Sequence, residues 1–316
     1  MKAIVLGSDD RFALATAEAP TPGPGEVLIR VRYAGLQWGD VLAVNGHFPL
    51  PRPFVPGFEA AGDIVAVGEG VDAARIGRPV TALTASGAFA EFVTAPAVLA
   101  FPAEDLDPRL AAAFGWATPT AYDLVNTVTR VRPGDRVLIH AALGGVGSLT
   151  AQFAKAAGAA RIVGVGGGGT EQAGYAAGLG YDRLISRTDF PDALADERFD
   201  VILDPVGGPA RLANLDRLAP HGRLAVYGNM ATFEPVQINA NDLLMTGASV
   251  LAYNSNLLSR THPERLAAGA AEALRLITDR QVRIDISAEY ELAEVPTAIQ
   301  RLAAGGTRGK TVIRIG

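Results

Sequence analysis

Cysteine is absent from this 316-residue chain. That excludes disulfides, thiolate nucleophiles and any zinc site with a Cys ligand. Histidine is scarce, and His47, His140, His221 and His262 show no i,i+3 or i,i+4 pairing, so no metal is expected. Lysine occurs only at Lys2, Lys155 and Lys310, and the formal net charge is −5. An acidic, lysine-poor chain speaks against a broad nucleic-acid surface. Long apolar runs are lacking too. Residues 137–154 are broken by His140, Gln152 and three glycines, and 243–259 by Asn254, Ser255 and Asn256. A spanning helix needs roughly 20 predominantly apolar residues, so no membrane segment is expected. The first apolar stretch, from Ala3 to Gly7, meets Asp9 and Asp10, unlike a secretory leader. A soluble, cytoplasmic protein is the expectation.

What is present divides into two patterns. The first third reads as all-β. Val27, Ile29 and Val31 alternate with Leu28, Arg30 and Arg32, and short strands bounded by Gly and Pro fall at 63–67 and 78–82. Residues 45–56 form a proline-rich loop that no helix can cross. Near residue 108 the character changes. Helices are expected over 108–114 and 120–128, followed by strands at 136–139, 161–165, 183–185, 200–203 and 222–227 with helical segments between. Strand–helix alternation with β-branched runs predicts an α/β fold built on a doubly wound parallel sheet. A helix over 263–278 and a strand over 310–315 close the chain.

The strongest chemical signal is Val137-Leu138-Ile139-His140-Ala141-Ala142-Leu143-Gly144-Gly145-Val146-Gly147, a buried strand and small-residue turn running into a helix. This is the spacing of a dinucleotide fingerprint with Ala142 in place of the first glycine. Small residues let the backbone approach a pyrophosphate, and the helix start supplies free N–H groups. The alternative is a tight βα turn without a ligand. Ala142, Gly144, Gly145, Val146 and Gly147 are the cofactor-binding candidates. An NAD site places an acid about 20 residues on. Here the next strand ends in Gly166-Gly167-Gly168-Gly169, with no carboxylate before Glu171. Nothing there repels a 2′-phosphate, and Gly166 and Gly167 could join an anion nest, so NADPH is favoured over NADH.

The whole chain resembles the quinone oxidoreductase (zeta-crystallin-like) branch of the medium-chain dehydrogenase/reductase superfamily. The resemblance rests on Pro24-Gly25-Glu26-Val27, Pro56-Gly57-Phe58-Glu59-Ala60-Ala61-Gly62, Pro133-Gly134-Asp135-Arg136-Val137, the glycine turn and Asp200-Val201-Ile202-Leu203-Asp204-Pro205-Val206-Gly207-Gly208. It implies a GroES-like, β-rich catalytic domain over 1–118, a Rossmann domain inserted at 119–262, and a return to the catalytic domain over 263–316. Zinc-dependent relatives place Cys and His where this chain has Gln37 and Phe58, so the resemblance implies a zinc-free reductase. By the same resemblance Thr120 stands near the nicotinamide amide, with a helix N-cap as its other reading. Asn229 follows a strand at its ligand-binding end, and Arg187 lies beside the 2′-phosphate or is a solvated surface residue.

A metal-free nicotinamide site suits hydride transfer to a quinone or to the β-carbon of an α,β-unsaturated carbonyl. The candidate catalytic residues are Gln37, Asp40, Thr120 and Asn229, although Asp40 could instead fix its loop through backbone hydrogen bonds. Trp38, Phe48 and Tyr253 are the candidate substrate pocket, with core packing the competing reading for Trp38 and Phe48. Alternatives are a dedicated enoyl reductase tailoring a secondary metabolite, and a non-catalytic NADPH-binding or RNA-binding relative. The family implies a homodimer, with residues 248–253 as the joining edge strand.

Overall fold

A computed structural model describes residues 1–48 and 50–316; Pro49, in the proline-rich loop expected over 45–56, lies outside them. The chain forms two units, Met1–Pro119 together with Leu258–Gly316, and Thr120–Leu257.

The first unit opens with a hairpin of β1 (Lys2–Leu6) and β2 (Phe12–Thr16). Then come β3 (Glu26–Leu36), α1 (Trp38–Val44), β4 (Glu59–Val67), β5 (Pro79–Leu83), β6 (Phe92–Pro96), β7 (Ala100–Pro102) and α2 (Pro108–Phe114). The alternation read along β3 decides its facing: Val27, Ile29 and Val31 are buried, Arg30 and Arg32 exposed. α2 starts where its chemistry allows. The Asp107 carboxylate accepts from the Arg109 N–H at 3.0 Å, and Pro108 takes a first-turn position that needs no donor.

The division between units falls inside α3 (Ala117–Asp123). The helix expected over 120–128 therefore begins three residues earlier, and its last part, Leu124–Val128, is π-helical. There the Leu124 carbonyl accepts both the N–H and the hydroxyl of Thr129, which holds the wider turn.

In the second unit β8 (Arg136–His140), α4 (Gly145–Ala156), β9 (Arg161–Gly166), α5 (Thr170–Gly178), β10 (Arg183–Ser186), β11 (Phe199–Asp204), α6 (Gly208–Leu215), β12 (Leu218–Val226), α7 (Ala240–Thr246) and β13 (Ser249–Ala252) follow in turn. The strands form a parallel sheet in the order β10-β9-β8-β11-β12-β13. Residues 137–139 and 201–203 are wholly buried, as strands of a parallel sheet covered on both faces must be. Strand order reverses between β8 and β11, the switch point at whose carboxyl edge ligands bind in such sheets. β13 ends the sheet, as expected for 248–253, and Leu244 and Met245 on α7 are strongly exposed.

After α8 (Ser255–Thr261), the chain returns to the first unit through α9 (Pro263–Thr278), β14 (Ile286–Glu291), α10 (Val295–Ala303) and β15 (Lys310–Arg314). β15 pairs with both β14 and β3, so the tail joins the main sheet rather than lying beside it. Val295, Ala298, Ile299 and Ile313 share one core with Ile4, Val27 and Ile64. At about 1.5–3 kcal/mol for each large aliphatic side chain buried, the tail is integral to that unit's stability. Among the described residues no helix is long and apolar enough to cross a membrane.

Candidate functional site

The five candidates from Ala142 to Gly147 all lie on the turn from β8 into α4. Gly144 is the N-cap and has no side chain to fill the helix end. Its N–H turns back to the Ala141 carbonyl at 3.0 Å, and the first intrahelical bond runs from Ser148 N to Gly144 O at 2.9 Å. The N–H groups of Gly145, Val146 and Gly147 therefore precede the helical ladder, the usual arrangement for receiving an anion. A Cβ on Gly147 would stand 2.8 Å from the backbone of Ala142, so only glycine lets α4 approach the turn this closely. Beneath it lies a residue the sequence did not single out. Buried Tyr181 shares its hydroxyl between the carbonyls of Ala142, at 3.0 Å, and Gly147, at 2.9 Å. Burial pushes its phenol well above the usual range and keeps it a donor. His140 is structural: its Nε2 meets Asn214 Oδ1 at 2.7 Å, and burial lowers its basicity.

Gly166 ends β9, and its carbonyl accepts from Arg187 N at 3.0 Å, placing the exposed Arg187 directly after β10 beside the glycine loop. Gly167 backs onto the Gln172 side chain, and Gly169, at φ +112°, is the N-cap of α5. Neither loop places a carboxylate at the end of β9.

Asn229 lies just beyond β12, at the carboxyl edge of the sheet. There Arg211 reaches fully buried Asp204, with Nε 2.8 Å from Oδ2. The same guanidinium donates to Asn229 Oδ1 at 3.1 Å and to the Gly228 carbonyl at 2.7 Å. Thr120 sits inside α3 and is buried, so it is not that helix's N-cap. Tyr253 donates its hydroxyl to Asp123 at 2.7 Å; burial, then the Asp123 charge, holds the phenol protonated.

In the first unit Gln37 and Asp40 form a capping box on α1. The Gln37 carboxamide oxygen accepts from Gly39 N at 3.2 Å, and Asp40 Oδ2 accepts from Gln37 N at 2.9 Å. Asp40 is fully buried, and among the described residues its Oδ1 makes no hydrogen bond. Burial pushes its pKa up to about 8, opposed by the Gln37 N–H and aided by the nearby Glu59 charge. Glu59 pairs with Lys310, which also donates to Leu36 O at 3.0 Å, while Glu59 Oε2 accepts from Trp116 N at 2.6 Å. Lys310 and Glu59 were not anticipated as a pair. Half-buried Trp38 packs on the core, its indole N–H unpartnered among the described residues, and Phe48 meets Phe58 edge-to-face at 6.0 Å.

Residues 23–105 match the alcohol dehydrogenase GroES-like domain family, and residues 179–313 the zinc-binding dehydrogenase family. A mycobacterial protein solved in complex with NADPH superposes with a TM-score of 0.90 at 30% identity, over 99% of each chain. The quinone oxidoreductase of Thermus thermophilus, also solved with NADPH, gives 0.85 at 30% identity over 100% of each chain. The chain belongs to the quinone oxidoreductase branch of the medium-chain dehydrogenase/reductase superfamily. It is also 31% identical, over 98% of its length, to a mycocerosic acid synthase-like polyketide synthase of Mycolicibacterium smegmatis, of which it spans 15%.

One matching family is described as zinc-binding, and the donors at the corresponding positions of this chain do not fit that ion. Gln37 has committed its oxygen to Gly39, Phe58 offers a phenyl ring, and among the described residues no three His, Cys, Asp or Glu side chains gather to hold a metal. The dinucleotide fits better: Gly144 caps α4 without a side chain, and the N–H groups of Gly145, Val146 and Gly147 precede the helical ladder.

Proposed function

We propose that the chain is an NADPH-dependent reductase that delivers hydride, without a metal ion, to a quinone or to the β-carbon of an α,β-unsaturated carbonyl, and that it works as a homodimer joined through β13. The uncapped, glycine-lined start of α4 at the sheet's switch point carries this reading. The acid-free end of β9, with Arg187 beside it, favours the 2′-phosphate, and the NADPH complexes of two relatives support that choice. When bound, the nicotinamide supplies the hydride. The protein's part is to hold the reactants, exclude water and offer donors where charge develops on the acceptor's carbonyl oxygen. Gln37 suits that last task, since with its oxygen engaged by Gly39 its amide N–H groups are left to donate. Trp38 and Phe48 offer flat apolar surface to a conjugated acceptor.

A second reading, a dedicated enoyl reductase of secondary metabolism, is favoured by the likeness to one section of a polyketide synthase. The test follows NADPH oxidation by absorbance (about 1 μM to 1 mM acceptor, the usual KM range) with 1,4-quinones, enones and enoyl thioesters, alongside NADPH and NADH titrations and light scattering. Quinone or enone turnover, tighter NADPH binding and a dimeric mass are expected. Turnover of thioesters alone selects the second reading. Tight NADPH binding with no turnover of any acceptor overturns both and leaves a binding protein.

A further inference from the structure

The three bonds of Arg211 tie α6, the end of β11 and the turn after β12 together, and they decide how Asn229 is oriented. A guanidinium only donates, so the end of the Asn229 carboxamide facing Arg211 is its oxygen. The Nδ2 group is thereby turned away from the clamp; Asn229 is half-buried, and Nδ2 makes no hydrogen bond among the described residues. Room for this arrangement is built in. Gly207 has φ +80°, and a Cβ there would crowd Asn229 Oδ1 at 3.1 Å and Arg211 Nη2 at 3.3 Å. Asp204 is committed on both oxygens, Oδ1 accepting from Val206 N at 2.7 Å and Gly207 N at 3.0 Å while Oδ2 takes Arg211. A wholly buried carboxylate so satisfied fixes the guanidinium in place, and the guanidinium fixes the amide.

The position gives that free donor a use. In a doubly wound sheet of this order the half beyond the switch point, here β11, β12 and β13, takes the second nucleotide of a dinucleotide. With the pyrophosphate at the start of α4, that second nucleotide is the nicotinamide one. We propose that Arg211 is a positioning residue: anchored on Asp204, it holds Asn229 so that Nδ2 donates to an oxygen of the nicotinamide half of NADPH. This rests on the NADPH reading above and adds which residues grip that half and how.

The test compares NADPH with 2′,5′-ADP, which keeps the phosphorylated adenosine half and lacks nicotinamide. Both are titrated by calorimetry into the wild type, R211M, R211K and N229D. N229D keeps an acceptor for Arg211 but replaces the donating NH2 with oxygen. Loss of one oriented hydrogen bond is expected to weaken NADPH by about tenfold in N229D and R211M, with 2′,5′-ADP binding unchanged. R211K, which keeps the charge and loses the fork, falls between. Should R211M fail to fold with Asp204 left unpaired, N229D decides alone. NADPH affinity in N229D equal to wild type overturns the proposal, as does an equal loss for both ligands. A wild type that binds no NADPH would instead remove the cofactor reading beneath it.

Discussion

Each unit buries a carboxylate against a cation, and the two pairs end differently. In the first unit Glu59 and Lys310 are sealed, with side chains 0% and 3% exposed, and every bond they make returns to the same fold: Trp116 N and Leu36 O. In the second unit Asp204 is equally buried, but Arg211 is 11% exposed and passes its remaining donors outward to Gly228 and Asn229 at the ligand edge of the sheet. A sealed network can only hold packing. One that terminates in an oriented, unused donor can hold a ligand as well, so the two should fail in different ways when cut.

The largest effect is expected in the sealed pair. Lys310→Met takes the cation away from Glu59 in the core next to Asp40, and removing one partner of a buried pair costs about 3–5 kcal/mol. Denaturant unfolding checks this. Adding Glu59→Met should recover most of the loss, because two apolar side chains need no compensation. If Lys310→Met unfolds at the wild-type midpoint, the sealed network is not holding the first unit.

Asp40 sharpens the same contrast through pH. Its carboxyl is buried on α1, facing Glu59 of β4, Lys310 of β15 and the N–H groups of Gln37 and Gly57. With a pKa of about 8 when folded against 3.8 as its ordinary value, the native state holds a proton that the unfolded chain has released between those limits. Stability must therefore fall as pH rises across that window, by about 1.4 kcal/mol per pH unit, and level off above it. Asp40→Asn cannot ionise, so the difference between variant and wild type should grow in the variant's favour up to about pH 8. A difference that stays constant from about pH 5 to about 8 would mean that Asp40 is ionised in the folded protein.

What could be read in advance was whatever repeats over short distances. The alternation of Val27, Ile29 and Val31, the Asp107–Pro108 helix start and the strand–turn–helix around Gly144 each depend on neighbours within a few residues, and each stands where it was expected. β14 went unread because it is an edge strand with exposed Ser287, Glu289 and Glu291, and α10 went unread although Glu294 and Pro296 mark its start. The clamps were invisible for a different reason. Glu59 and Lys310 are 251 residues apart, and Tyr181 reaches Gly147 across 34. No spacing rule carries such pairs. Two hints were nonetheless present: Lys310 is one of only three lysines, and Asp204 directly precedes the Pro205-Val206-Gly207-Gly208 turn.

Tyr181 gives the smallest and most local test, because it is a sealed group placed directly under a ligand-facing turn. Its hydroxyl bridges two carbonyls, one at the bend and one in the first turn of α4, and so sets how far the free N–H groups stand from the sheet. Tyr181→Phe keeps the ring and removes only that bridge, at an expected cost of about 1 kcal/mol in unfolding free energy. If the hydroxyl only supports the scaffold, NADPH affinity will follow stability and recover at lower temperature. If it sets the spacing of the turn, binding of NADPH and of 2′,5′-ADP should weaken together by a few-fold even where the variant is fully folded, since both place a phosphate at α4. That joint loss is the reverse of the split expected for Asn229→Asp, and calorimetry on the two variants side by side separates support of the phosphate turn from grip on the nicotinamide half.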